Sequence, residues 1–184
     1  MTTRTGSPSD VGVRPMVEAD WPDVERIWAA GIATGDATFE SSTSTWDVFA
    51  AGRPAAHRHV AVGGGTVLGW VACSPTSSRA VYAGVVEHSV YVAPYAQRRG
   101  VGGLLLDALV ASTEAAGIWT VQSSIFPDNE ASLRLHLRHG FRVVGYRERV
   151  GRAAAGPAAG RWRDTLLVER RSAAVGADAT TWSR

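Results

Sequence analysis

One segment constrains the fold more than any other: an apolar strand that runs into a glycine-rich turn and then into a helix. The strand covers residues 87–93 and is ended by Pro94, because proline cannot donate a hydrogen bond within a sheet. Apolar residues at helical spacing follow the turn as far as the stop signal at Gly117, and a second strand covers residues 119–125. This succession predicts a crossover between two parallel strands, with the helix packed on the sheet.

The rest of the chain alternates between the same two kinds of element. Before the turn we predict a strand at 11–17, two helices that begin after Asp20 and Ser44, and a glycine-linked hairpin of strands 59–63 and 66–74. After residue 125 we predict a helix that begins at Asp128 and strands at 141–150 and 163–170. Helices interspersed among strands indicate an α/β fold (an α+β mixed sheet) with helices on both faces. In 184 residues we expect one domain over 11–171, between flexible ends at 1–10 and 172–184.

Composition excludes several classes of function. All 19 basic residues are arginines, so the chain has neither a lysine for a Schiff base nor the Gly-Lys-Ser of a phosphate loop. The net charge is only +2 and the basic residues do not cluster, so the sequence does not indicate nucleic-acid binding. The single Cys73 excludes an internal disulfide, and the five histidines lack the spacing of a metal site. Because no apolar run could span a bilayer and no secretory signal opens the chain, we expect no membrane segment and a cytoplasmic location.

The turn has the composition of an anion-binding site. Glycines let a ligand approach the backbone closely, and the positive end of the helix dipole favours a pyrophosphate. Two arginines within the turn add full positive charges. A glycine-rich turn with solvated arginines is the simpler alternative, whereas a dinucleotide site is disfavoured because the first strand–helix link has no G-x-G-x-x-G. The turn reads Gln97-Arg98-Arg99-Gly100-Val101-Gly102-Gly103.

Several segments, in order, resemble the GCN5-related N-acetyltransferases (GNAT), and more narrowly the phosphinothricin acetyltransferases. The resemblance covers residues 11–170 and departs at two places. His136 stands where most GNAT members have tyrosine, and Ser77 and Ser78 stand where some phosphinothricin enzymes have a lysine. The segments are Arg79-x-x-Tyr82, Glu87-x-Ser89-Val90-Tyr91-Val92-Ala93-Pro94, Gln97-x-x-Gly100-x-Gly102, Asn129 with Leu135-His136 and Gly140-Phe141, and Gly160-Arg161-Trp162-x-Asp164.

The resemblance implies a GNAT fold in which a splayed pair of strands binds acetyl-CoA. It also implies which elements bind the cosubstrate. The turn would hold the diphosphate, the strand before the turn would pair with the extended pantetheine, and the later helix would bond to the pantetheine arm. Relatives of this kind are often dimers, and seven tryptophans suggest an exposed aromatic patch, so we expect a homodimer. The expected coenzyme-binding residues are Val90, Tyr91, Val92, Gln97, Arg98, Arg99, Gly100, Val101, Gly102, Gly103, Asn129 and Ser132.

Two residues are the expected catalytic groups. Glu87 matches the catalytic glutamate of the resembled enzymes and can act as the base that deprotonates an ammonium group; its simpler interpretation is a solvent-facing glutamate at a strand edge. His136 can act as a second base or as the acid toward the coenzyme A sulfur; its simpler interpretation is a satisfied, partly buried histidine. His88 is expected to point away from Glu87, because side chains alternate along a strand, and is given no role.

Three residues are the expected substrate-binding groups. An arginine fork grips a carboxylate in bidentate fashion, so Arg79 suits an amino-acid substrate, and Tyr82 offers a hydroxyl group. Phe39 supplies an apolar wall in a loop that resembles the family's substrate lid. We therefore predict acetyl transfer by direct attack of a small amino-acid-like substrate, of phosphinothricin or methionine sulfoximine type. The alternatives are another acceptor (a protein N-terminus, a polyamine or an aminoglycoside) and a coenzyme-A-binding module without turnover.

Overall fold

The computed structural model describes residues 11–154, 156 and 158–177. The predicted flexible segment at 1–10 and residues 178–184 of the predicted tail lie outside them. Of the predicted tail, Ser172 and Gly176 lie against Trp119, whose carbonyl accepts from the Ser172 amide at 2.9 Å. Within the described ranges, no helix combines the length and apolarity needed to cross a membrane.

Each predicted helix and strand is present, and the sheet is mixed, which confirms the predicted fold class. No strand boundary moves by more than two residues: β1 ends two residues earlier than predicted, β4 begins two residues earlier, and β6 ends two residues later. The helices are α1 (Trp21–Thr34), α2 (Trp46–Ala51), α3 (Val101–Ala115) and α4 (Glu130–Arg138). The strands are β1 (Val11–Pro15), β2 (Arg58–Gly63), β3 (Thr66–Pro75), β4 (Val85–Val92), β5 (Thr120–Ile125), β6 (Arg142–Arg152) and β7 (Trp162–Arg171).

The seven strands form one sheet in the order β1-β2-β3-β4-β5-β7-β6. Only the β4–β5 pair is parallel among the described strands, as the crossover through α3 requires. That pair is short: it joins Val85 to Thr120, Val86 to Val121 and Glu87 to Gln122. Since β4 continues to Val92 without further pairing to β5, the two strands splay apart in the middle of the sheet.

The helices divide between the two faces of the sheet. Gly31 of α1 lies against the Tyr91 ring, whereas Gly69 of β3 faces Leu105 of α3. Tyr91 pairs with Trp70, the residue after Gly69, and consecutive strand residues point to opposite faces. The sheet therefore has an α1 face, which also carries α2, and an α3 face, which also carries α4.

Three helix starts differ from the sequence prediction. The cap of α4 is Asn129 and not Asp128, and its side chain accepts from the Ser132 amide at 3.1 Å. The cap of α2 is Thr45 and not Ser44. Asp20 precedes α1 but makes no side-chain cap; its carboxylate binds Arg14 and the Val17 amide instead. In α2 and α4 an adjacent polar residue of similar capping propensity provides the cap, whereas α1 begins after Asp20 as predicted and lacks only the side-chain cap.

An aromatic cluster fills the core on the α1 face. Trp70 and Phe49 are fully buried with ring centroids 5.5 Å apart, and Trp28 packs against both. Trp21 and Trp46 close the cluster from the outside. Of the described tryptophans, two are buried (Trp28 and Trp70), three are half-buried (Trp21, Trp46 and Trp119) and one is exposed (Trp162), so they do not form the exposed patch expected from the sequence.

Two histidines beside β2 make folding sensitive to acid. The His57 and His59 rings bind Ser112 Oγ at 3.0 and 3.2 Å, and burial lowers the pKa of both below the ordinary 6.5. Below about pH 6.5 the unfolded chain takes up protons that the folded chain resists, so the free energy of unfolding falls with decreasing pH. We expect a lower urea midpoint at pH 5 than at pH 7.

The control for this expectation is a double variant, His57→Asn with His59→Asn. Asparagine does not titrate, so the difference in urea midpoint between pH 7 and pH 5 should shrink. A difference as large as in the parent protein would assign the acid sensitivity to other groups.

Candidate active site

The gap between β4 and β5 exposes backbone groups in the middle of the sheet. Ala93 N donates to Leu68 O at 2.9 Å, which turns the amides of odd-numbered β4 residues toward β3. By the alternation of an antiparallel pair, the backbone groups of Val90 and Val92 turn to the open side. The gap can therefore accept an extended chain that hydrogen-bonds like an added strand.

A cavity of about 270 Å³, the notch cavity, occupies the widening gap. Glu87 and Tyr91 line it from the α1 face, and His88 and His136 line it from the α3 face. Its remaining walls come from the loop after α1, from two further residues of β4, from β5 and the turn that follows it, from the start of α4, and from β7. These residues are Ala37, Thr38, Phe39, Glu40, Ser89, Val90, Ser123, Ser124, Ile125, Phe126, Asn129, Ser132 and Thr165.

The Glu87 carboxylate is half-buried in the wall of this cavity. Ser124 Oγ of β5 donates to Glu87 Oε1 at 3.3 Å. Tyr91 stacks on Trp70 with ring centroids 4.8 Å apart, and burial raises its pKa, so its hydroxyl stays protonated at neutral pH. A carboxylate and a phenol hydroxyl thus line the same small cavity from the α1 face.

His136 does not stand alone, because His88 meets it on the α3 face. Their Nε2 atoms are 2.9 Å apart, and both rings pack on Phe141. The alternation that points His88 away from Glu87 holds, but that direction leads to α4 and into the notch cavity. The expectation that His88 has no part in the site is therefore wrong. Strand alternation shows from the sequence which face His88 points to. That α4 covers this face is known only from the fold.

A second and larger cavity, about 680 Å³ in volume, surrounds the glycine turn and the start of α3; we call it the turn cavity. Gly100 caps α3 in the left-handed region at φ +79°, which costs a residue with a Cβ atom free energy. It offers no side chain to the first amides of α3. The Gly103 and Leu104 amides bond to Gly100 O at 3.0 and 3.2 Å, so the amides of Val101 and Gly102 are the ones left for a ligand. The turn and α3 contribute Ala96, Gln97, Arg98, Gly100, Val101, Gly102 and Gly103, and α4 contributes Ala131, Arg134, Leu135 and Arg138.

Not all of the predicted coenzyme-binding residues line the turn cavity. Gln97 and Arg98 line the turn cavity, whereas Arg99 is exposed and does not line it. The side chain of Tyr91 lies on the α1 face, away from the turn cavity. Gly102 is needed for packing, because an added Cβ would lie 2.9 Å from a methyl group of Leu135.

The notch cavity and the turn cavity meet. Val90, Asn129 and Ser132 line both. Asn129 Oδ1 is occupied as the helix cap, and its Nδ2 donates to Asp36 O at 3.1 Å. A ligand that extends from the turn along Val90 would therefore enter the notch beside Ser132.

An ion-pair cluster fastens the loop after α1 beside the notch. Arg163 of β7 is 10% exposed and bonds to Asp36 at 3.2 Å and to Asp128 at 3.3 Å. Its guanidinium also lies 4.3 Å from the centre of the Phe126 ring, on which Phe39 packs edge to face. Phe39 is thereby held in the cavity wall.

Arg79 and Tyr82 lie apart from the notch cavity. They sit in the exposed loop between β3 and β4, with the Arg79 guanidinium 5.2 Å from the centre of the Tyr82 ring. Arg79 lines a separate surface cavity formed by residues 75–80 and 83, and Tyr82 lines neither that cavity nor the notch. In this conformation the structure does not bring either side chain into the cavity with Glu87.

Two other chemistries find little support in the described residues. Across residues 11–154, 156 and 158–177, no group of three or more histidine, cysteine or carboxylate side chains is placed to hold a metal ion. Burial raises the pKa of the Cys73 thiol to about 12, so it is protonated at neutral pH and a poor nucleophile.

Curated relatives carry acetyltransferase names. A phosphinothricin N-acetyltransferase of Streptomyces coelicolor is 41% identical over 104 residues, which is 56% of this chain and 58% of that protein. This chain therefore spans less than two thirds of the length of that relative. A phosphinothricin N-acetyltransferase of Alcaligenes faecalis is 34% identical over 168 residues, which is 86% of this chain and 81% of that protein.

Solved structures and a family model agree with these relatives. A GNAT superfamily phosphinothricin acetyltransferase of Sinorhizobium meliloti, solved in complex with acetyl-CoA, superposes with a TM-score of 0.81 at 26% identity. The superposition covers 94% of each chain. The model of the acetyltransferase (GNAT) family matches residues 19–141. The chain therefore belongs to the GNAT acetyltransferase family.

Proposed function

We propose that this protein transfers an acetyl group from acetyl-CoA to the amino group of a small amino-acid-like acceptor of phosphinothricin or methionine sulfoximine type. The observation that carries the proposal is the continuity of the two cavities: a groove that starts at the glycine turn ends beside the Glu87 carboxylate. The names of the relatives support the acceptor class.

The turn cavity suits the diphosphate and pantetheine parts of the cosubstrate. Free amides at the start of α3, with the positive end of its dipole, match a pyrophosphate. Arg98, Arg134 and Arg138 add positive charge to the cavity wall. The open backbone groups of Val90 and Val92 match the amides of a pantetheine arm.

In the proposed mechanism Glu87 removes a proton from the acceptor's ammonium group, directly or through one water molecule. The freed amine attacks the thioester carbonyl, and a backbone N–H near Val92 meets the developing oxyanion. One preorganised donor of this kind lowers the barrier by about 3 kcal/mol. His136 lies across the gap from Glu87, where it can serve as a second base or as an acid toward sulfur.

Acceptor selection depends on a small cavity without an arginine in its walls. The notch lining contains no arginine among the described residues. Arg79 and Tyr82 remain our proposed partners of the substrate carboxylate. They reach an acceptor in the notch only if the exposed loop of residues 76–84 moves, or if a second copy of the chain supplies them.

A panel of amines tests the proposed function. With acetyl-CoA present, release of free thiol should be fastest for phosphinothricin, methionine sulfoximine and related amino acids. A protein N-terminal peptide, polyamines and aminoglycosides should be slow. Faster release with one of these would replace the acceptor class, and acetyl-CoA binding by calorimetry without thiol release from any amine would favour a binding module.

We also propose a homodimer, supported by apolar side chains along the β6–β7 edge of the sheet. Edge strands with exposed apolar residues readily pair with another chain. A light-scattering mass near twice the 19.5 kDa of one chain is expected, and the single-chain mass would contradict it. The exposed residues are Val143, Val144, Tyr146, Val150 and Trp162.

A further inference from the structure

The two imidazoles on the α3 face of the notch have more hydrogen-bond contacts than two neutral rings have protons. His88 Nδ1 lies 2.9 Å from Gln122 O, and His136 Nδ1 lies 2.7 Å from Ser132 O. A carbonyl oxygen only accepts, so each Nδ1 must carry a proton. The 2.9 Å contact between the two Nε2 atoms then needs a third proton, whereas two neutral imidazoles carry only two.

We propose that His88 and His136 share one additional proton between their Nε2 atoms, and that this pair supplies the proton taken up by the sulfur of coenzyme A. The proposal rests on the acetyl transfer proposed above. His88 is then a positioning residue. It touches neither substrate and acts through His136, with which it shares the proton.

The surroundings exclude two extra protons. Burial lowers the pKa of both rings, so a single extra proton is held by the contact between the two Nε2 atoms and not by the apolar surroundings. Both rings are buried against Phe141, which keeps water away. Burial and the charge of the neighbouring His136 ring lower the pKa of His88 to about 3, so the two rings do not carry two charges at neutral pH. Two groups coupled this closely titrate as one unit.

Few other titratable groups act on the pair from the elements around it. His139, at the end of α4, acts on His136 by charge, and its ring binds Asp107 of α3 at 2.7 Å. Glu87 lines the same cavity from the α1 face. On β5, the neighbours are the neutral Gln122 carbonyl and the Ser123 hydroxyl, which donates to His88 O at 3.2 Å.

Ser132 connects the pair to the reacting atoms. Its Oγ lies 3.4 Å from His136 Nδ1, and Ser132 lines both cavities at their junction. As the carbon–sulfur bond breaks, its electron pair goes to sulfur, which takes the Ser132 hydroxyl proton. The hydroxyl takes the Nδ1 proton of His136, and the shared proton settles on Nε2 of His136.

The protons balance over one turnover. The acceptor's ammonium group loses two protons when the carbon–nitrogen bond forms, and Glu87 passes both in turn to solvent. The sulfur receives one proton from the pair, and the pair regains one from solvent. One proton is released per amide formed, as the reaction requires.

Nuclear magnetic resonance of the free protein, labelled with ¹⁵N in its histidine rings, tests the shared proton without any acetyl transfer. The signals of each ring are assigned by their loss in the His88→Asn and His136→Asn variants. We expect three ring N–H protons on His88 and His136 together near pH 6, and loss of one of them in a single step as the pH rises. Two N–H protons at every pH would overturn the proposal.

The pH dependence of turnover tests the route to sulfur. In His88→Asn an amide oxygen, a far weaker base than imidazole, replaces the Nε2 acceptor, so the alkaline fall in kcat should begin at lower pH. At pH 8 we expect kcat to fall about tenfold relative to the parent protein. The control His59→Asn removes a ring that binds Ser112 away from both cavities and should stay within twofold.

The outcomes separate the two proposals. An unchanged pH profile in His88→Asn would overturn the route to sulfur, and His88→Gln provides the same comparison should the asparagine variant fail to fold. If the parent protein acetylates no amine, the proposed function fails, while the ring N–H count still decides whether the proton is shared.

Discussion

Replacing Glu87 with glutamine is expected to slow acetyl transfer by about 10²–10⁴-fold, the range of a lost general base, while acetyl-CoA binds as before. The amide has nearly the shape of the carboxylate and can keep the contact with Ser124, but it cannot accept a proton from the acceptor's ammonium group. The loss corresponds to about 3–5 kcal/mol of transition-state stabilisation. Steady-state thiol release gives the rate, and calorimetry with acetyl-CoA gives the affinity.

Two measurements keep this expectation specific to Glu87. Glu148→Gln makes the same chemical change on the exposed face of β6 and should leave the rate unchanged. A more basic medium should partly restore the rate of Glu87→Gln, because the acceptor's amine then arrives already deprotonated, whereas a more acidic medium should not. A rate close to that of the parent protein would remove Glu87 from the mechanism.

Replacing Gly102 with valine is expected to weaken acetyl-CoA binding by about a hundredfold or more. The added Cβ would lie 2.9 Å from Leu135 Cδ2 and 3.6 Å from Val92 Cγ2, inside the wall of the turn cavity. The methyl groups then displace the ligand from the first amides of α3, and each lost hydrogen bond to a charged phosphate costs about 1.5–3 kcal/mol. Calorimetric titration with acetyl-CoA measures the change.

The matched control is Gly12→Val in β1, where an added Cβ meets no atom within 4 Å and valine suits a strand. Thermal unfolding of both variants shows whether the fold is retained. Binding within threefold of the parent protein by a folded Gly102→Val variant would contradict the assignment of the turn cavity to the diphosphate.

The order and type of the elements could be predicted from local patterns. Proline and glycine mark the ends of β4 and α3, and the structure keeps Gly100 and Gly117 in the left-handed region. Helix starts were less certain, since Asp128 and Asn129 are both good caps and the choice depends on which amide each side chain reaches. The parallel β4–β5 pair followed from the helix between them.

The composition of the site could not be predicted from the same patterns. Nothing local to His88 indicates that α4 covers its face of the sheet, nor that Phe141 shields both imidazoles. Arg163 likewise reads as one arginine among many in a strand, although it holds Asp36 and Asp128 at the rim of the notch. Such contacts join residues far apart in the chain, and their register is set by tertiary packing.

The three residue pairs that join β4 to β5 have a consequence for the catalytic cycle. On our proposal, the pantetheine arm bridges the gap as an eighth strand and makes the sheet continuous from edge to edge. Spent coenzyme A carries the same arm and diphosphate, so the same amides hold the product after the acetyl group has left. Discharge of coenzyme A then requires the sheet to open again in its middle in every cycle.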